Sequence, residues 1–359
     1  MAESQLALLH HTLRHESTGR FLAYAQFSPA LDAALRGRLG LGSEVDLTRH
    51  FGMYRPEHVS LQVTAAYQAP DFSRYFPKEK IPAGAFVNGI GVLEIPGSSY
   101  HFTAYVSPLR NAETWGEIED YPYPSLDGIS FDGMAAQVAA VHAEGRAATL
   151  WIGHMYETAW QIRGYERFLE DMLLEPERCE YILDRLMERN VVLAKAAAAA
   201  GCDYIMVGDD VANQRSLMFS IDLWRHFMKS RWEKVFQAAR SVRPEIGIWY
   251  HSDGAILDIV PELLDIGVTI LNPVQPECVD PVEIKRLLGR RAAIDGAIGT
   301  QTTMPFGTPA DVKAMVRERV DTLGRDGALI LSPTHMLEPE VPVENVLAFF
   351  EAVDEINAG

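Results

Sequence analysis

From residue 148 onward one pattern repeats along the chain: a short apolar run rich in β-branched residues, a polar or glycine-containing turn, then a stretch with helical apolar spacing. The runs at 148–153, 203–208, 246–250, 268–273, 292–297 and 328–332 predict strands. Helices are predicted at 166–187, continuing past a break near Pro176 to residue 200, and at 221–241, 256–265, 279–289, 309–324 and 343–356. Pro176, Pro281 and Pro309 sit where a first helical turn loses nothing by lacking an N–H, and Gly201, Gly267, Gly289 and Gly324 sit where helices end. Near-continuous apolar strands that alternate with helices mean a parallel sheet covered by helices, and eight such units close into a barrel.

The two strands still needed come from the first half, where 21–26 and 59–63 each follow a helix-like stretch. The N-terminal segment with Glu3, His10, His11, Arg14 and His15 reads as the first helix. Residues 69–130 are rich in Pro, Gly, Tyr and Phe, and 85–95 with 100–106 read as hairpin arms that turn at 96–99. That segment is expected to be an insertion over the barrel mouth. The prediction is a (β/α)₈ TIM barrel, one domain over 1–359, with a hairpin insertion in its N-terminal half. An open doubly wound sheet is the alternative, and the number of strands in the first half decides between them.

The formal net charge of -17, with Lys and Arg scattered, repels a phosphate backbone and argues against a nucleic-acid partner. Cys179, Cys202 and Cys278 form no CxxC pair, and no signal-peptide order precedes them, so a cytoplasmic location is expected. The most apolar stretch, 191–200, contains Lys195 and is Ala-rich in the manner of a helix former, so no membrane span is expected. A homo-oligomer is compatible with this composition.

In a barrel the loops after the strands build the active site, so polar residues directly after each predicted strand are the candidates. They are His154, then Tyr156, Trp160, Gln161 and Arg163; Asp209 and Asp210, then Asn213 and Gln214; His251 and Asp253; Asn272 and Gln275; Asp295; and Thr334 with His335. His251 and Asp253 stand two apart, where alternate side chains face one way, and His335 comes from another strand end. Two imidazoles and a carboxylate make a three-ligand metal site with an open position; alternatively Asp253 caps the helix near 256. Of the adjacent acids, one is expected to face the site and the other to cap or pair, and their repulsion would raise one pKa for acid–base work by Asp210 or Asp209, with His154 beside them. Cys278 follows close on Gln275 and is either near the mouth or a filler.

These stretches give the chain its resemblance to a known family. Ala159-Trp160-Gln161-Ile162-Arg163-Gly164, Glu175-Pro176-Glu177, Gly208-Asp209-Asp210, Trp249 to Gly254, Leu271 to Pro276 and Leu331 to His335 resemble, in that order, the uroporphyrinogen decarboxylase superfamily of (β/α)₈ barrels. The superfamily holds porphyrinogen decarboxylases and zinc-dependent, corrinoid-linked methyltransferases. Phe21 to Ser28 departs from the arginine-rich clamp of the decarboxylases, which disfavours porphyrinogen itself. The methyltransferase branch has thiolates where this chain places Asp253 and His335, so a harder divalent ion, zinc by resemblance, is implied.

The leading expectation is therefore a metal-dependent methyltransferase or demethylase. It would act on a small O- or S-methyl compound, with a corrinoid or a corrinoid protein as acceptor. The runner-up is a decarboxylase or lyase of a small aromatic or carboxylic acid, with Asp210 as proton donor and Arg163 or Arg74 on the carboxylate. A non-catalytic small-molecule or corrinoid-binding protein is the third reading.

Overall fold

The computed structural model describes residues 3–77, 81–97 and 103–359. Eight parallel strands are arranged in order around the sheet: β1 (Leu22–Ala23), β2 (Glu57–His58), β3 (Ala148–His154), β4 (Tyr204–Gly208), β5 (Gly247–His251), β6 (Ile270–Asn272), β7 (Ala293–Ile298) and β8 (Leu329–Pro333). β2 to β8 pair in sequence and β8 pairs with β1, so only the β1–β2 seam lacks a ladder. There the Tyr54 N–H donates to the Ala23 carbonyl at 2.7 Å, which brings the two edges together. The predicted (β/α)₈ barrel is the fold, and the open doubly wound alternative fails because sequential strands stay adjacent all the way round.

The six strands expected from residue 148 onward lie within two residues of their predicted positions at every end. In the first half the correction is local. The second barrel strand is Glu57–His58 rather than 59–63, and Gln62–Val63 leaves the barrel to pair antiparallel with Ile129–Ser130. Leu93–Pro96 and Thr103–Val106 pair antiparallel as the expected hairpin, but the first arm expected over 85–95 is divided, Phe86–Val87 folding back antiparallel on Leu93–Glu94; the turn predicted at 96–99 falls partly on 98–102, outside the described residues. This small sheet packs beside the helix that follows β3, Tyr105 meeting Trp160 edge to face at 6.0 Å. Among the described residues, none of 69–130 lines the central cavity.

Helices cover the barrel outside. Pro176, Pro281 and Pro309 each occupy a first helical turn, and Gly201 and Gly267 end helices in the left-handed conformation at φ 91° and 103°. The helix predicted at 221–241 runs from Ile221 to Val242 but widens into a π turn at Arg225–Lys229. The Arg231 guanidinium donates to the Phe227 carbonyl there at 2.9 Å.

Two apolar layers result. The larger lies between strands and helices; the smaller fills the lumen with Leu22, Tyr54, Tyr204, Trp249, Ile270 and Ile330, and Leu8 and Leu9 of the helix Gln5–Arg14 plug its closed end. Each such buried Leu or Ile stabilises the fold by roughly 1.5–3 kcal/mol. The lumen is thus closed below and open only at the C-terminal ends of the strands. No helix among the described residues is long and apolar enough to cross a membrane.

Candidate active site

Alternation along β4 and β5 sends Tyr204 and Met206, and Trp249 and His251, into the lumen. With Tyr24 and Asp295 they line a cavity of about 550 Å³ whose rim carries Asp210, Asp253, Asn272, Thr334 and His335. The last residue of β4, position 208, is glycine for a steric reason: a Cβ there would stand 2.8 Å from the Cβ of His251 and 3.2 Å from Cε1 of His154. Any side chain at 208 would push both imidazoles out of place.

Asp210, His251 and Asp253 each bring one ligand atom within 4.8 Å of the others. The His251 Nε2 lies 3.6 Å from Asp210 Oδ1, and the Asp253 N–H donates to the same oxygen at 2.8 Å. Asp253 Oδ1 is buried without a hydrogen-bond partner. Burial raises the Asp253 pKa and Asp210 adds to the rise, while His251 and His335 oppose it. The His251 Nδ1 stands 2.7 Å from Asn272 Oδ1, and Asn272 Nδ2 donates to the Asp295 carbonyl at 3.1 Å. That second bond fixes the amide, so His251 donates from Nδ1 and turns Nε2 toward Asp210. His335 lines the same cavity but stands outside the three-residue group.

Asp209 and Asp210 diverge. Asp209 is fully buried, its Oδ1 accepting from the N–H groups of Met155, Tyr156 and Glu157 at 2.7, 2.6 and 3.3 Å and its Oδ2 from Trp232 Nε1 at 2.9 Å. It caps the helix Tyr156–Arg163 from below, and burial lifts its pKa to about 7. His154 faces Glu157, Nδ1 to Oε2 at 2.5 Å. Burial lowers the His154 pKa, but the bond and charge of Glu157, with Asp209 and Asp210 behind, outweigh it and raise the value to about 9. Its ring meets that of His251 edge to face at 6.3 Å.

The remaining candidates divide between cavity and scaffold. Asn272 and Asp295 line the cavity. Arg163 does not: it is buried against Asp171 at 2.6 Å and donates to the Leu109 carbonyl at 2.6 Å, joining a helix to the insertion. Arg74 donates to the Asp120 carbonyl at 2.8 Å and lies over the Tyr75 ring, also away from the cavity. Tyr156 packs between Phe168 and Phe219, Trp160 between Tyr105 and Tyr165. Gln161 is half-buried on the same helix and outside the cavity. Asn213 folds its own turn by accepting from Arg215 and Ser216, Gln214 bonds Gln301, and Gln275 accepts from the Gly254 N–H at 2.8 Å, shaping the loop that carries Asp253. Cys278 is half-buried with its thiol toward Gln275, and it lines no part of the cavity.

Sequence reading missed the lumen aromatics Tyr24, Tyr54, Tyr204 and Trp249, and Arg55 and His58 on the cavity wall. The signal for Trp249 and Tyr204 was present, since they precede His251 and Gly208 by two and four residues on the same strand face. Arg55 is paired with Asp46 at 2.9 Å.

The family profile of uroporphyrinogen decarboxylase (URO-D) matches residues 152–356. The methylcobamide:CoM methyltransferase MtaA of Methanosarcina barkeri is 28% identical over 191 residues, 53% of this chain and 53% of the relative. The chain thus spans about half the length of the MtaA relatives it matches. A uroporphyrinogen decarboxylase of Nostoc punctiforme is 23% identical over 309 residues, covering 83% of this chain and 82% of the relative. Among solved structures, a methyltransferase from Methanosarcina mazei superposes over 99% of both chains with a TM-score of 0.66 at 18% identity, a likeness of fold.

Proposed function

This chain belongs to the uroporphyrinogen decarboxylase family, and within it we propose that the protein is a metal-dependent methyltransferase or demethylase. It acts on a small O- or S-methyl compound, with a corrinoid, free or protein-bound, as methyl acceptor. The observation that carries the reading is the Asp210, His251 and Asp253 group on the cavity wall. An unpartnered buried carboxylate oxygen and an imidazole already anchored through Nδ1 are what a divalent cation requires of its ligands. The oxygen-rich set fits zinc or a harder ion. His251 and Asp253 would hold it with Asp210, and His335 is the further donor on that wall. When bound, the ion would polarise the heteroatom that carries the methyl group. His154, kept protonated at neutral pH beside Glu157, would supply the proton that the demethylated heteroatom takes up.

The charge of the cavity favours methyl transfer over decarboxylation. Asp210, Asp253 and Asp295 line it, the Arg55 guanidinium is already paired, and Arg163 and Arg74 are engaged elsewhere. A substrate with several carboxylates would meet repulsion rather than a clamp. The M. barkeri MtaA relatives, methyltransferases by name, support the same choice. Residues 1–359 are read as one domain, with 69–130 inserted.

The test is metal analysis of the purified protein and of His251→Ala, combined with a spectroscopic assay of cob(I)alamin methylation by methoxylated aromatics and thioethers. Stoichiometric metal in the parent, lost in the variant together with turnover, is expected. A metal-free protein that releases CO₂ from an aromatic acid and ignores chelator would overturn the proposal.

A further inference from the structure

We propose that Asp295 is a positioning residue whose carboxylate fixes, through Trp249, the ring orientation of His251, while its backbone carbonyl orients the Asn272 amide that holds the His251 Nδ1 proton. The inference rests on the metal reading above, yet it concerns a residue that touches none of the three candidate ligands directly. Asp295 sits on β7 and is 3% exposed. Its Oδ2 accepts from Trp249 Nε1 at 2.8 Å and from the Tyr24 hydroxyl at 3.1 Å, and its Oδ1 from Ser332 Oγ at 3.0 Å. Its backbone carbonyl accepts from Asn272 Nδ2 at 3.1 Å.

Each of two arms ends on the His251 ring. The Trp249 indole, anchored by its bond to Asp295, lies parallel to the imidazole at 9° with centroids 5.8 Å apart, so the ring plane follows the indole plane. The Asn272 amide, oriented by the Asp295 carbonyl, accepts from Nδ1 and leaves Nε2 as the nitrogen facing Asp210. One arm sets the plane and the other sets the proton. An apolar side chain would fill the same space without the desolvation penalty of a carboxyl, so packing alone does not account for an acid at this position.

The backbone after Asp295 points the same way. Gly296 has φ +136° and Ala297 φ +66°, and a Cβ at Gly296 would stand 1.8 Å from the Pro273 carbonyl oxygen. Here β7 is drawn onto the residue after Asn272, and the Ala297 N–H donates to that same oxygen at 2.9 Å. Positive φ at a non-glycine residue is unfavourable and is retained where the surroundings over-determine it. The result of the distortion is that the Asp295 carbonyl meets the Asn272 amide.

The experiment uses Asp295→Asn and Trp249→Phe, the latter keeping a stacking ring while removing the N–H. Asp203→Asn is the control: Asp203 is a buried acid at the closed end of the barrel, held by His10 and His142 and remote from His251. Zinc affinity is measured by competition with a chromophoric chelator, and the His251 ring orientation by nuclear Overhauser contacts in metal-free, histidine-labelled protein. Both lumen variants are expected to weaken zinc binding about 10- to 100-fold and to change the contacts of the His251 ring, whereas Asp203→Asn lowers only the melting temperature. Affinity within twofold of the parent and unchanged ring contacts in both lumen variants overturns the inference, and so does an equal zinc loss in Asp203→Asn. If the parent itself retains no zinc, the metal reading fails while the ring contacts still decide the role of Asp295. Should Asp295→Asn not fold, Trp249→Phe carries the test.

Discussion

Two adjacent acids of identical chemistry should fail in opposite ways when substituted. In Asp209→Ala, three backbone N–H groups and the Trp232 indole lose their acceptor in a fully buried place. At about 1–3 kcal/mol for each orphaned donor, reduced by relaxation, the loss is about 4 kcal/mol. That is a large part of a typical stability of about 5–15 kcal/mol. Asp209→Asn keeps an oxygen for the backbone donors but turns an N–H toward Trp232, which predicts a loss of about 2 kcal/mol and a melting temperature lower by about 3 °C. A pH arm strengthens the case. Burial holds the Asp209 pKa up at about 7, so the carboxyl's contribution to stability is full below its unfolded value and fades as pH rises through 7; Asp209→Asn should lack that decline. Asp210→Asn should behave in reverse. Its side chain is one-third exposed and accepts from the Asp253 N–H, which a carboxamide oxygen also serves, so melting changes by no more than about 1 °C while metal retention collapses. Calorimetric scans and metal content on the same preparations decide it. Metal loss without destabilisation in Asp209→Asn, or early melting with intact metal in Asp210→Asn, would refute the division of roles.

Other substitutions probe the remaining steps. Asp171→Ala strands the buried Arg163 guanidinium and should cost about 3–5 kcal/mol in chemical denaturation, with turnover per folded molecule unchanged; a loss of activity without instability would return Arg163 to the substrate. Asp326 bonds His15 and Lys285, which hold its pKa down at about 2, so its stabilisation is present above pH 4 and vanishes as pH falls toward 2. Because the carboxylate is partly open to water, Asp326→Asn should cost about 1 kcal/mol at pH 7 and nothing below pH 2, and a pH-independent difference would contradict this. With the His154 pKa near 9, methyl transfer should decline as pH rises through 9, and a His154→Gln enzyme that kept the same alkaline limb would assign that limb to another group.

What the sequence discloses here follows the physics of burial. β3 to β8 were legible because parallel strands covered by helices read as near-continuous apolar runs, and their helices because Pro176, Pro281 and Pro309 mark starts. β2 was misplaced because Glu57 and His58 are polar and exposed; only their pairing with Ala148 and Thr149 makes them a strand. The strand-end rule put His251, Asp253, Asn272 and Asp295 on the cavity. It could not say which of two neighbouring acids turns inward, because the deciding partner, Trp232, lies a helix away. Arg163 looked like a substrate ligand for the same reason: its counter-ion, Asp171, is one helix further on and nothing local distinguishes a paired arginine from a free one.

The arrangement also bears on why one barrel can serve two chemistries. In the lumen, polar groups are tied to one another across strands, Tyr24 and Trp249 to Asp295, and Tyr54 to Tyr204 at 3.1 Å, so the floor is rigid and largely self-satisfied. The rim differs, because Asp253 keeps a buried oxygen without a partner, in the turn directly after the strand that ends at His251. Changing the reaction therefore needs changes only at the rim, where each side chain has few neighbours to disturb, while the floor continues to orient whatever imidazole stands above it. A carboxylate clamp and a metal centre are alternative fillings of that rim, and the two acids on it, Asp210 and Asp253, favour the cation.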